Sequence, residues 1–171
     1  LISYKTLNKD NPKLSCRLKN MEKFSPTRII LDNKLKTNIK SYLFKTAKKN
    51  NTIFFYNEAI KSKIVDFKKK KIEVIKSKIN NNKKFDLSLI LKKLYNLGCR
   101  NILVEGGNEL TKNFLRKKKF NQFYLFKSPK KLSKLTDYKE FNGFNILKQN
   151  YKTRLKIKSN FGKDTVALYK N

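Results

Sequence analysis

Glu105, Gly106 and Gly107 are the residues of this 171-residue chain best placed to do chemistry. They close the apolar run Ile102-Leu103-Val104 and stand just ahead of a helix-like stretch that starts near Asn108-Glu109-Leu110. Such a run reads as an interior parallel strand, and ligands of open α/β sheets bind beyond the carboxyl ends of those strands. Glu105 stands at that end. The two glycines permit positive φ and a close backbone approach, while the following helix offers unpaired N–H groups and a positive dipole end to a phosphate. The corner suits a phosphorylated cofactor. Gly-Gly ahead of a helix is also an ordinary way to turn a chain, so the motif alone leaves both readings open.

The rest of the composition narrows the chemistry. There is no histidine, which removes Ser-His-Asp and Cys-His catalysis, and Cys16 and Cys99 fit no metal-ligand spacing, so no metal site is expected. Carboxylates, hydroxyls, lysines or a bound cofactor must supply the reactivity. Lys and Arg number 43 against 12 Asp and Glu, a net charge of +31 that on its face points to nucleic acid. Only five of those cations are Arg, however, and Asn, Ile, Phe and Tyr are abundant alongside Lys, a pattern of base-biased codons rather than of localised Arg-rich readout. No specific nucleic-acid partner is expected. No apolar run approaches the roughly 20 residues needed to span a bilayer, and no signal-peptide pattern opens the chain, so a cytoplasmic protein without a membrane partner is expected. Leu1 in place of an initiator Met reads as a cut start.

The length predicts one domain. Residues 1–17 read as a polar segment with a turn at Asn11-Pro12, followed by strands at 27–33, 52–56, 63–67 and 72–75, and a short helix over 41–49. Asp32-Asn33 ends the first of these strands in the same format as Glu105, so two strands present polar ends to one cleft. Asp86 caps a helix whose apolar face is Leu87, Ile90, Leu91, Leu94 and Tyr95, with Gly98 as its stop. That helix leads through the run at 102–105 into a second helix over 109–116, as parallel α/β topology requires. A strand at 122–126 and an antiparallel pair, 153–158 and 165–169, complete the chain.

Three motifs in this order resemble the C-terminal reductase domain family of RibD-type riboflavin-biosynthesis proteins, which has a dihydrofolate-reductase-like fold. They are Thr6-Leu7-Asn8-Lys9-Asp10-Asn11-Pro12-Lys13-Leu14-Ser15-Cys16-Arg17; Pro26-Thr27-Arg28-Ile29-Ile30-Leu31-Asp32; and Leu97-Gly98 joined to Ile102-Leu103-Val104-Glu105-Gly106-Gly107 and Leu110, with Ser128-Pro129-Lys130 beyond. Asn108-Glu109 departs from the small residues usual after the glycines, and Ser128 from the usual Ala. The resemblance implies an α/β fold: a mixed, mostly parallel sheet flanked by helices, with a C-terminal antiparallel hairpin. It also implies that 1–171 is a reductase domain lacking its first strand and helix, with a deaminase domain further upstream, and that the assembled protein is a homodimer.

The same resemblance assigns residues. Thr6, Asp10, Asn33 and the stretch Gly107, Asn108, Glu109, Leu110, Thr111, Lys112 and Asn113 match positions that bind NADPH. Leu14, Arg17 and Glu105 match substrate positions, and Asp10 is the candidate for proton balance beside the reacting carbon. The reaction implied is NADPH-dependent reduction of 5-amino-6-(5-phosphoribosylamino)uracil to its ribitylamino product. Because the nicotinamide carries the hydride, a chain without His or metal ligands suffices. Two readings compete: a reductase of this fold acting on another pterin- or pyrimidine-like substrate, and a basic nucleic-acid-binding protein.

Overall fold

A computed structural model of the chain describes residues 1–129, 141, 143–151, 154–157 and 162–171; Lys130 of the third motif and Thr153 and Lys158 of the anticipated strand 153–158 lie outside them. The chain divides into two compact units, Leu1–Gly107 and Asn108–Asn171.

The first unit is a parallel sheet in the order β1-β2-β3-β4, formed by Ile2–Ser3, Arg28–Leu31, Thr52–Tyr56 and Glu73–Lys76. Between them run α1 (Tyr4–Asp10), a 3-10 turn (Glu22–Phe24), α2 (Tyr42–Lys45) and α3 (Lys61–Lys69), and α4 (Leu87–Asn96) follows β4. Register puts Ile2, Ile30, Phe54 and Val74 side by side on one face, where they pack with Leu7, Leu43, Phe44 and Phe67. Phe67 meets the rings of Phe44 and Phe54 edge-on at 5.0 Å each. Arg28 is fully buried in β2 and still satisfied: its guanidinium donates to Thr52 Oγ1, Thr46 Oγ1 and the carbonyls of Leu43 and Asn50.

Two segments differ from the expectation. Residues 63–67 lie in helix α3, not in a strand. A strand would have placed Asp66 on the same face as Ile64, whereas helical spacing buries Ile64 and Phe67 together and leaves Val65 48% exposed. A parallel β3–β4 pair also needs a crossover, and α3 supplies it. Residues 4–10 are helix α1 rather than an irregular polar segment. Ser3 caps it by accepting from the Thr6 N–H at 3.3 Å, and Leu7 buries its one strongly apolar face.

The α4 face is largely as anticipated. Asp86 accepts from the Ser88 and Leu89 amides, Leu87, Ile90 and Leu94 are buried, and Gly98 ends the turn at φ 85°; Tyr95 instead stays exposed, its ring under the Arg100 guanidinium at 4.3 Å.

The second unit contains α5 (Asn108–Arg116), β5 (Gln122–Lys127), α6 (Phe144–Asn150), β6 (Arg154–Ile157) and β7 (Thr165–Lys170). Its strands form an antiparallel sheet in the order β5-β7-β6, so the anticipated hairpin gains a third strand. Leu115, Leu147, Tyr151, Ala167 and Tyr169 form its core, and Tyr151 donates to the Leu115 carbonyl at 2.8 Å, burial holding its phenol above the usual range.

Candidate functional site

The site is built from the carboxyl edge of the parallel sheet. β1 ends at Ser3, and α1 starts at once, so Thr6 lies in the first turn after the strand with its hydroxyl 3.1 Å from Ser3 Oγ. The extended residues 101–107 run beside β1 on the side away from β2. The Leu1 nitrogen donates to the Leu103 carbonyl at 2.6 Å, and the Glu105 N–H donates to the Leu1 carbonyl at 3.1 Å, the alternation of a parallel pairing. From β1 the chain therefore goes to β2 on one side and returns at Glu105 on the other. That is a topological switch point, where open α/β sheets bind ligands.

Thr6 and Gly107 meet there. A Cβ placed on Gly107 would lie 3.7 Å from Thr6 Oγ1, so the hydrogen of Gly107 leaves a methyl-sized space facing the hydroxyl. The expected positive φ is not what Gly106 and Gly107 provide: among the described glycines only Gly98 and Gly162 adopt it. The contribution of Gly107 is bulk withheld. Glu105 is exposed rather than buried, and so is Leu103 at 71%. Among the described residues the run is joined to β1 through the two Leu1 hydrogen bonds, and no strand of the described residues is paired on its far side.

The other sequence-predicted residues of this unit are spread along the same edge. Asp10 is exposed one helical turn beyond Thr6, on the same side of α1. Asn11 ends that helix in the left-handed region (φ 42°), and Leu14 also has positive φ (47°), unusual for a bulky residue. The Leu14 side chain packs against the core, and Arg17 is exposed. Asn33 follows β2, and its side-chain oxygen is buried with no hydrogen-bond donor in reach. Its neighbour Asp32 does not face a cleft: it is fully buried and accepts from the Lys36 and Thr37 amides and the Thr37 hydroxyl at 2.7–2.8 Å, closing the loop after β2.

In the second unit, Asn108 opens α5 directly after Gly107, and Leu110, Thr111, Lys112 and Asn113 are half-buried in its first two turns. Lys112 Nζ pairs with Glu109 Oε1 at 2.7 Å, so the carboxylate that departs from the family pattern neutralises the lysine beside it. Sequence reasoning missed Ser3, the cap that sets the Thr6 hydroxyl; the spacing Ser3-x-x-Thr6 was its only signal.

These features fit a dinucleotide. An acceptor buried without a donor is rare in a folded protein and is expected where a ligand supplies the donor, as at Asn33. The space over Gly107 admits a ligand next to the Thr6 hydroxyl, and the Glu105 carboxylate stands two residues before it. Among the described residues no cluster of three metal-ligating side chains occurs, and no helix is long and apolar enough to cross a membrane.

Residues 1–167 match the model of the RibD C-terminal domain. Riboflavin biosynthesis proteins RibD from Aquifex aeolicus (strain VF5) and Actinobacillus pleuropneumoniae are each 28% identical to the chain over 170 and 171 residues, 99% of it and 45% of their own length. The chain thus spans about half the length of the curated relatives it matches. Among solved structures, a pyrimidine reductase-like protein from Corynebacterium diphtheriae superposes with a TM-score of 0.71 at 15% identity, covering 99% of this chain and 73% of that one. Acinetobacter baumannii RibD gives 0.68 at 14%, covering 99% and 45%; at such identities both speak to the fold. With the match running over residues 1–167, the chain belongs to the RibD C-terminal domain family.

Proposed function

We propose that the protein carries out NADPH-dependent reduction of 5-amino-6-(5-phosphoribosylamino)uracil to 5-amino-6-(5-phosphoribitylamino)uracil, a step of riboflavin biosynthesis. The observation that carries this reading is the meeting of Thr6 with Gly107 at the switch point beside β1, because it joins two of the three motifs into one place. NADPH, when bound, supplies the hydride for the C1 carbon of the ring-opened substrate.

The chain's own residues then bind and align. Thr6 donates to or accepts from the cofactor, and Gly107 clears the space for it. Asn33 offers its unpaired carbonyl, and Asn108, Glu109, Leu110, Thr111, Lys112 and Asn113 belong to the same cofactor stretch. Glu105 accepts hydrogen bonds from the uracil or sugar hydroxyls. Arg17 clamps the substrate phosphate through its fork of donors, and Leu14 backs it. Asp10 balances the proton needed at the substrate nitrogen. Alignment of donor and acceptor accounts for much of the rate in such a site.

In this reading residues 1–171 are the reductase part of a bifunctional, homodimeric chain with a deaminase domain ahead of it. NADPH oxidation by the full-length protein is the test. Turnover with the phosphoribosylaminouracil supports the proposal. Turnover only with a dihydropteridine replaces it with a related reductase, and salt-sensitive binding of a defined nucleic acid without any NADPH binding replaces it with the nucleic-acid reading.

A further inference from the structure

Helix α1 spans only seven residues, about two turns, and Leu7 is its one buried residue. A helix that short is marginal by itself, so contacts outside it must set its orientation. Two asparagines supply them. Asn8 donates from Nδ2 to the Lys36 carbonyl at 3.1 Å and accepts the Asn38 N–H on Oδ1 at 2.9 Å. Asn11, at the left-handed end of the helix, accepts the Tyr42 N–H on Oδ1 at 2.8 Å. All three bonds reach one loop, residues 32–42 after β2.

That loop is held from its other end as well. The Asp32 carboxylate takes the amides of Lys36 and Thr37, Asn38 Oδ1 takes that of Lys40 at 2.8 Å, and Leu35 is buried. Its start is tied to the end of β3, because the Asn33 carbonyl accepts the Asn57 and Glu58 N–H groups at 3.0 and 3.1 Å. The loop therefore links Asn33 to α1. Helical residues advance by about 100° each, so Asn8 lies on the side of α1 away from Thr6, while Thr6 and Asp10, four apart, share a side. The loop takes one side of the helix and leaves the other to ligands.

We propose that Asn8 and Asn11 are positioning residues of the reductase site: they lock α1 to the loop after β2 and thereby fix Thr6 and Asp10 relative to Asn33. This rests on the reductase reading above. In this role neither asparagine touches a bound molecule, so its loss keeps the binding contacts and loosens the alignment of the reacting groups, on which transfer depends steeply. Both side chains are exposed, and removing their bonds takes little from global stability.

The test compares the full-length wild type with Asn8→Ala and Asn11→Gly. Glycine keeps the left-handed backbone at position 11 and removes the acceptor. Hydride transfer is followed in a single turnover with the phosphoribosylaminouracil, as loss of NADPH absorbance, and NADPH affinity by direct titration. For each variant we expect the transfer rate to fall about three- to tenfold, the equivalent of one hydrogen bond, with NADPH affinity within about twofold of the wild type. A purely structural role would lower Tm and leave the transfer rate of the folded protein unchanged. Wild-type transfer rates in both variants, whatever their Tm, overturn the positioning role and leave the reductase reading intact. A loss of NADPH affinity as large as the loss of rate makes the asparagines binding residues and overturns it too. Failure of the wild type to oxidise NADPH overturns the reductase reading and this proposal with it.

Discussion

The strand Arg28–Leu31 and the run Ile102–Glu105 have similar apolar sequences, and the fold treats them in opposite ways. β2 is paired on both sides and all four of its residues are buried. Among the described residues the run at 102–105 is joined to β1 through Leu1, and its side chains alternate between exposed and half-buried. Apolarity therefore does not decide whether a strand is central; neighbours on both edges and cover on both faces do. The difference has a use. A doubly paired strand makes a stable floor, while the run at 102–107 leaves Glu105 and Gly107 exposed to a ligand.

Breaking the floor should cost most. Phe54→Ala removes a fully buried ring stacked edge-on against Phe67, and unfolding should be easier by about 3–5 kcal/mol in denaturant titration. A loss below about 1 kcal/mol would mean that the parallel sheet is not the core. Next comes chemistry at the edge. Glu105→Gln should lower kcat/KM for the pyrimidine by roughly 10- to 100-fold, the value of hydrogen bonds to a charged acceptor, with NADPH affinity retained. An equal loss of NADPH affinity would show that Glu105 faces the cofactor instead. Ser3→Ala should cost about 1 kcal/mol of stability through the lost α1 cap, read as a lower Tm. Leu103→Ser should be smallest, within about 0.5 kcal/mol, since the side chain is mostly in solvent. A loss of several kcal/mol there would show that the Leu103 side chain is covered in the full-length protein.

Much of this was legible in the sequence. The β3 strand, the capped helix α4 with its Gly98 stop, and the α5 helix after the glycines follow from local patterns strong enough to survive packing. Residues 63–67 did not, because Lys63-Ile64-Val65-Asp66-Phe67 fits either period and only the need for a β3–β4 crossover selects the helix. Asp32 looked like a site residue since it ends a strand, yet whether a carboxylate faces a cleft or closes its own loop depends on the amides of Lys36 and Thr37, which no spacing rule reports. The contact of Thr6 with Gly107 joins residues a hundred positions apart and became visible only with the fold.

The central claim is that the Thr6–Gly107 corner holds the dinucleotide, and Gly107→Ala tests it most directly. The added Cβ would sit at an ordinary 3.7 Å from Thr6 Oγ1 and Gly107 does not use positive φ, so the variant should fold with wild-type Tm. NADPH affinity measured by direct titration should nevertheless fall about 5- to 100-fold, the cost of one methyl group forced into a filled site. A well-folded Gly107→Ala protein that binds NADPH as tightly as the wild type would contradict the account.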